Sequence, residues 1–567
     1  MCARIRWRYA GGIVQPPPAP RLCFDAFASY GPYPRKPAPA RWTLEHLLQD
    51  MNQAGLAGAL VTYAQALHYD PMLSNLRMIE QIRDHRDRLW PCWVALPSVS
   101  GEFPEPAELV AAMHEYDVRA VRVEPEHFGL PLDEALWRPL CQALAEAGVL
   151  VVTAMARGRA WDDVARLVEL FAGNPVLLAN HNWSQWRHVA ALMQRCGNLH
   201  IEFSAFQANR AVEHFASRFG PERCLFGTGL PERAAGCARG MIDWSLLGER
   251  EVDMIAGGNL KRLLGGGPAK AIAPAGAHDD AIVAAASAGR PLPCPVLDAH
   301  CHILHEGGHT GGGRYVMLDG GPAGMLELAR RIGVDRTAVM SWAGPLSMDT
   351  ALGNQHVEEA VTRHPEHYIG LSTINPDHDS DEQIEAIIDR YHRQKRWPGL
   401  KTFTYHQTRK YDDPAFARYF GYGNEHGLYA VIDPATLPGD DHVERLAARY
   451  PNLGIHLDHC GQSWPYAQWA MHLARQFPNV WLQLNHTAAT NGVIEYLVEQ
   501  VGAERVLWGT DAPMRDPRPQ VAWLAYTSLS PAQKAMVFGR NFAQILQTIG
   551  IDVGLQPQAA GGLEADS

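Results

Sequence analysis

The sequence predicts an α/β protein of two tandem (β/α)8 TIM barrels, the N-terminal one degenerate, and three observations carry that prediction. Apolar runs within 295–550 stop one after another at a histidine or carboxylate, most of them with a Gly or Pro within the next two residues. The same succession recurs within 21–265 with most of those polar residues replaced. With 567 residues, the chain has room for two barrels at roughly 250 residues each.

The first run of the C-terminal half is Leu297-Asp-Ala-His300-Cys-His302. Side chains alternate along a strand, so His300 and His302 share one face, and Cys301 turns the other way into core packing. Two neutral imidazoles from one strand form half of a divalent-metal site and suit zinc, iron, nickel or copper. Further runs end at Asp433 (Gly427-Leu-Tyr-Ala-Val-Ile-Asp-Pro434), at His459 (Leu453-Gly-Ile-His-Leu-Asp-His-Cys-Gly461) and at Asp511 (Arg505-Val-Leu-Trp-Gly-Thr-Asp-Ala-Pro513). Polar groups at the C-terminal ends of successive parallel strands are how a TIM barrel assembles an active site. Lys401, His406 and Trp342 fall at or after other strands, where substrate contacts are drawn from; His305, His309 and His378 read as solvated loop histidines.

Asp298-Ala-His-Cys-His302, Gly399-Leu-Lys401, His459-Cys-Gly461 and Gly509-Thr-Asp-Ala-Pro513 occur in that order, with Asp412-Asp-Pro-Ala-Phe416 and Arg540-Asn-Phe542 at fitting places. This set resembles the amidohydrolase superfamily, in the branch that contains aminocarboxymuconate-semialdehyde decarboxylase and related lactonases. The resemblance implies one divalent metal ion, zinc with manganese as the alternative, held by His300, His302, Asp433 and Asp511. It also implies catalytic roles: Asp511 takes the proton of a metal-activated water, and His459 hydrogen-bonds the substrate oxygen or the nucleophile. The activity implied is hydrolysis of an amide, lactone or related carbonyl substrate. Non-oxidative decarboxylation of an aromatic or unsaturated carboxylate is the alternative, and a non-catalytic binding or scaffolding protein is a third reading. One departure stands out: Asp433 occupies a position where the family usually has a histidine. It is read as a metal ligand, with substrate binding or orientation of a histidine as the other roles open to it.

The N-terminal half repeats the plan. Leu22-Cys-Phe-Asp25-Ala-Phe27-Ala-Ser29 matches Val296–His302 at an offset of 273, Leu178-Ala-Asn-His181 matches Leu457-Asp-His459 from 278 residues earlier, and Leu225-Phe-Gly-Thr-Gly229 matches Leu507–Asp511 at 282. Phe27, Ser29, Ala154 and Gly229 stand at the ligand positions, so this barrel reads as a pseudoenzyme in which His181 is structural. The organisation expected is a flexible segment 1–20, a degenerate barrel 21–265, an Ala/Gly/Pro-rich linker 266–294 with a short helix before Pro291, a catalytic barrel 295–550 and a flexible tail 551–567.

Composition bounds the partners. Hydrophobic residues make up 47% and charged residues 20%, which is ordinary globular material. Net charge is −11 with no basic run, which argues against nucleic acid. Neither a cleavable signal nor an apolar stretch near 20 residues is evident, and ten cysteines occur without a Cys-x-x-Cys pair, so a cytoplasmic setting with no membrane is expected. The expected partner is a small-molecule carbonyl or carboxylate substrate. The two barrels are expected to pack on each other, and self-association stays open.

Overall fold

The computed structural model describes residues 19–33, 39–156, 158–402, 409–434, 441–486 and 488–554. The segments 1–20 and 551–567, expected to be flexible, lie almost entirely outside the described residues, as does His406.

Two eight-stranded parallel sheets account for the chain's architecture. The first runs β1 (Cys23–Tyr30), β2 (Leu56–Tyr63), β3 (Leu89–Val94), β4 (Ala120–Arg122), β5 (Leu150–Ala154), β6 (Val176–Ala179), β7 (Leu199–Glu202) and β8 (Cys224–Leu225), in sequence order. The second begins with β9 (Leu297–Ile303); a hairpin of β10 (Thr310–Gly311) and β11 (Tyr315–Val316) stands outside the sheet. It continues with β12 (Arg336–Ser341), β13 (Tyr368–Ile374), β14 (Gly399–Thr402), β15 (Tyr429–Ile432), β16 (Gly454–Leu457), β17 (Val480–Leu484) and β18 (Val506–Trp508). Helices cover the outer faces, which is why these strands read as continuous apolar runs instead of alternating ones. The two sheets are therefore tandem (β/α)8 barrels.

Each barrel is drawn together between its first and last strands by the same device. In the second, Thr510 N and His300 N both donate to Asp298 Oδ1 at 3.0 Å, and Thr510 Oγ1 donates to Oδ2 at 2.6 Å. In the first, Thr228 N and Phe27 N donate to Asp25 Oδ1 at 2.9 and 3.0 Å, with Thr228 Oγ1 on the other oxygen. The approach is close: a Cβ on Gly509 would lie 2.8 Å from that of His300, so β18 can reach β9 only with glycine there. Cys301 points outward among Ile303, Met325 and Tyr368, away from the two histidines.

Between the sheets, the helix Ala281–Ser287 is capped by Asp280 and buries Ile282, Val283, Ala285 and Ala286 against the second barrel. Its Asp280 also pairs with Lys534 at 2.6 Å. Helices Ala235–Asp243 and Pro517–Ala525, which follow the eighth strand of each barrel, lie against each other. Gly240 allows this, since a Cβ there would sit 2.3 Å from the Arg518 carbonyl oxygen. At the same contact Arg518 forms a two-point ion pair with Glu213 at 2.5 and 2.9 Å and a second pair with Asp516 at 2.6 Å. Among the described residues, no helix is long and apolar enough to cross a membrane.

Candidate active site

The polar strand ends of the second barrel meet in a cavity of about 530 Å³. Its lining includes His300, His302, Trp342, Lys401, Asp433, His459 and Asp511, together with Asp458, His486 and Arg515.

His300 and His302 leave β9 with their Nε2 atoms 3.3 Å apart. Asp511 Oδ1 lies 3.6 Å from the first and 3.3 Å from the second. Burial, with the charge of Lys401 adding to it, holds both imidazoles well below their ordinary range, so they are neutral at pH 7 and offer lone pairs. The tautomer of His300 follows from its neighbour on β17. Gln483 Nε2 donates to the Ala299 carbonyl at 3.1 Å, which turns Gln483 Oε1 towards His300 Nδ1 at 2.8 Å. His300 therefore carries its proton on Nδ1 and aims the bare Nε2 at His302 and Asp511.

These three donors fit a divalent metal ion. Four ligands at about 2.0–2.1 Å around such an ion stand roughly 3.3–3.4 Å from one another, and the observed separations cluster at that value. The backbone points the same way. Asp511 is held at φ 53°, a left-handed conformation that costs a non-glycine residue about 1 kcal/mol, and the matching residue of the first barrel is Gly229 at φ 73°. A carboxylate is thus kept where backbone preference favours glycine.

A second group forms beside the first, with Asp458 Oδ2 3.7 Å from His300 Nδ1. Asp433, Asp458 and His459 bring one donor atom each within 4.8 Å of one another. His459 Nε2 stands 3.8 Å from Asp433 and 3.9 Å from Asp458. Asp433, expected in the first ligand set, is thus placed with His459 in the second group. Lys401 Nζ lies 3.1 Å from Asp458 Oδ2, and burial pushes the Asp458 carboxyl up to about 6. His459 accepts its orientation from Asn485, whose Oδ1 is 2.8 Å from both its backbone N and its Nδ1. Arg515 is buried and touches Asp511; burial pulls its guanidinium down to about 9, which leaves it charged at neutral pH. Trp342, buried edge-on to His302, forms a wall of the cavity.

The first barrel's mouth is filled differently. Phe27 lies under the Arg122 guanidinium at 5.3 Å, Arg122 pairs with Glu124 at 2.8 Å, and the buried Arg159 reaches Glu126 at 2.9 Å. His181 is enclosed against Phe206, and burial lowers it to about 3. Among the described residues, no trio of metal-type donors converges in this barrel.

An amidohydrolase family model matches residues 7–266 and again 297–547, one match for each barrel. The chain belongs to the amidohydrolase family. The two matches also show that this amidohydrolase arose by tandem duplication. No curated protein matches the chain. Similar solved structures include 5-carboxyvanillate decarboxylase from Sphingomonas paucimobilis, 19% identical over 45% of this chain and 99% of that one, with a TM-score of 0.36. A dihydroxybenzoic acid decarboxylase from a Polaromonas species, with bound manganese, is 16% identical over 45% of this chain and 97% of its own, with a TM-score of 0.35. A protein assigned as a 2-pyrone-4,6-dicarboxylic acid hydrolase in Pseudomonas putida is 17% identical over 43% and 97%, with a TM-score of 0.35.

Several residues of this site are not singled out by the sequence reading. Gln483 sits inside an apolar strand and Asp458 directly follows one, and the alternation that picks out His300 and His302 applies equally to Gln483. Arg515 follows Asp511 by four residues, a spacing that brings it back beside the carboxylate. Trp183 comes from the other barrel, and no local pattern announces it.

Proposed function

We propose that the C-terminal barrel is a metal-dependent hydrolase of a small carbonyl compound that carries a carboxylate, and that the N-terminal barrel is a pseudoenzyme. The observation that carries the reading is the convergence of His300 Nε2, His302 Nε2 and Asp511 Oδ1 at separations suited to one divalent ion, at the wall of a cavity that also contains His459. Zinc fits two imidazoles and a carboxylate, with manganese as the alternative. Such an ion, when bound, supplies Lewis acidity and brings the pKa of a water near 7.

The chain's own residues do the rest. Asp511 accepts the proton of the attacking water and passes it to the leaving group. His459, fixed by Asn485 with its proton on Nδ1, presents the bare Nε2 as a hydrogen-bond acceptor for the nucleophile. Lys401 and Arg515 supply positive charge for the substrate carboxylate, and Trp342 limits the space beside it. His406 is retained as a candidate substrate contact from its sequence position alone.

Decarboxylation is kept as a second reading because those two buried cations line the same cavity, as a site that grips a carboxylate requires. The test is a screen of the zinc- and manganese-supplemented full chain against carboxylated lactones, carboxylated amides and hydroxybenzoates, reading ring opening, amide cleavage and carbon dioxide. Hydrolysis without carbon dioxide supports the first reading, and carbon dioxide release replaces it with the second. In either assay Asp511→Asn should slow turnover by about 10²- to 10⁴-fold. A wild-type rate would assign the proton transfer to another residue.

A further inference from the structure

Trp183 belongs to the first barrel, in the 3₁₀ turn Trp183–Gln185 after β6, yet it lines the cavity of the second. The Arg515 guanidinium carbon lies 5.0 Å from the centre of its ring, and the His486 ring meets it edge-on at 6.4 Å. Its Nε1 is enclosed and has no hydrogen-bond partner among the described residues.

The surrounding contacts fix this arrangement from both sides. Asn182 Oδ1 accepts from Ser184 N at 3.0 Å, and Gln185 Oε1 accepts from Asn182 N at 2.9 Å, which rigidifies the turn. Arg187, on the following helix, donates to the Gly313 carbonyl at 2.7 Å and so ties down a loop whose Gly312, Arg314 and Tyr315 face the same cavity. Beyond Arg515, Asp516 N donates to the Gln207 carbonyl at 2.7 Å, and Asp516 Oδ2 accepts from Arg210 N at 3.0 Å. Arg515 is thus bracketed by the first barrel: its ring partner is Trp183, and its chain neighbour is held by Gln207 and Arg210.

The duplication makes the position of Trp183 informative. At the offset that aligns His181 with His459, Trp183 falls on Gly461, where a Cβ would sit 2.0 Å from the Trp523 ring. The large aromatic residue is present in the half that has lost its ligands and absent from the half that keeps them. Its ring packs at the margin of the first barrel's core and also meets Arg515 of the other barrel.

We propose that Trp183 is a positioning residue of the second barrel's site, supplied in trans by the first barrel, and that it stacks on Arg515 to hold that guanidinium beside Asp511 at the cavity, where it meets the anionic group of the substrate. The inference rests on the reading above only for the presence of an anionic substrate; the stacking stands independently of it. A cation over an indole face in a desolvated setting is held in one orientation, and the same face shields it from reagents in solvent.

The test uses the full chain and phenylglyoxal, which modifies accessible guanidinium groups, with the modified arginines located by peptide mass spectrometry. Arg515 should resist in the wild type and label about tenfold faster in Trp183→Ala, whereas Trp183→Phe, which keeps a π face, should stay within about twofold of wild type. Trp183→Leu fills the wall without a π face; it should behave like the alanine variant and replaces it if that variant does not fold. Arg518, buried between the barrels by Glu213 and Asp516, is the internal control and should remain unlabelled throughout. Equal labelling of Arg515 in wild type and variant would overturn the proposal. Simultaneous labelling of Arg515 and Arg518 would also overturn it, by showing that Trp183 only holds the interface together. With any substrate found, Trp183→Ala should raise KM more than it lowers kcat. Metal content of the same samples tests the functional reading separately, because a metal-free wild type with selective Arg515 labelling would remove that reading and leave this one standing.

Discussion

Replacing Glu213 with Gln removes one charge from the cluster that joins the two barrels. Burial pushes this carboxyl up, but the Arg518 charge and its two hydrogen bonds outweigh burial and bring it from 4.5 down to about 2. A tenfold change in proton affinity corresponds to about 1.4 kcal/mol, so the ionised form contributes roughly 3 kcal/mol to the folded state. That agrees with the roughly 3–5 kcal/mol lost when one partner of a buried pair is removed. Solvent screening is small, with side-chain exposures of 0% for Arg518 and 16% for Glu213. Because the folded value is depressed, the contribution is complete above the unfolded value and is lost as pH falls through the folded one, a window from about pH 5 to pH 2. The assay is urea unfolding of the wild type and Glu213→Gln at pH 7 and pH 2.5. The variant should be less stable by about 3 kcal/mol at pH 7, and the gap should shrink by at least half at pH 2.5. A gap under about 1 kcal/mol at pH 7, or one that does not change with pH, would refute the reasoning.

Two further variants address the site. Gln483→Leu deprives the His300 Nδ1 proton of its acceptor, so metal affinity measured by chelator competition should fall about 10- to 100-fold with little change in melting temperature; unchanged affinity would show that Gln483 does not orient the ring. Asp433→Ala should keep its metal and show its defect in KM or kcat, because Asp433 is grouped with Asp458 and His459 and not with His300, His302 and Asp511. Loss of metal from that variant would return Asp433 to the ligand set.

What the sequence makes legible follows from local physics. A parallel strand buried on both faces must be apolar, so a histidine or carboxylate at its end is conspicuous, and this exposes His300, His302, His459 and Asp511 as candidates. Duplication is legible because Asp25 and Thr228 repeat Asp298 and Thr510, the pair that draws each barrel together. The grouping of those candidates is not legible. Asp433 and Asp511 both end strands, yet which histidine each one meets depends on how far the chain travels beyond the strand. Trp183 and Arg515 approach each other across 332 positions of sequence through packing between domains, and no periodicity within either segment encodes that contact. Gln483 is hidden because a single amide in an apolar strand has the same sequence signature whether it orients a histidine or only satisfies a carbonyl.

The central claim is that His300, His302 and Asp511 hold a divalent ion, and metal stoichiometry measures it directly. The full chain, expressed in zinc- and manganese-supplemented medium and freed of loosely bound metal by gel filtration, should retain about one ion per chain by elemental analysis. The double variant His300→Ala/His302→Ala should retain close to none while unfolding at nearly the wild-type midpoint, since strand-end residues at this face serve function more than the core. Equal metal content in wild type and double variant, or none in either, would contradict the account.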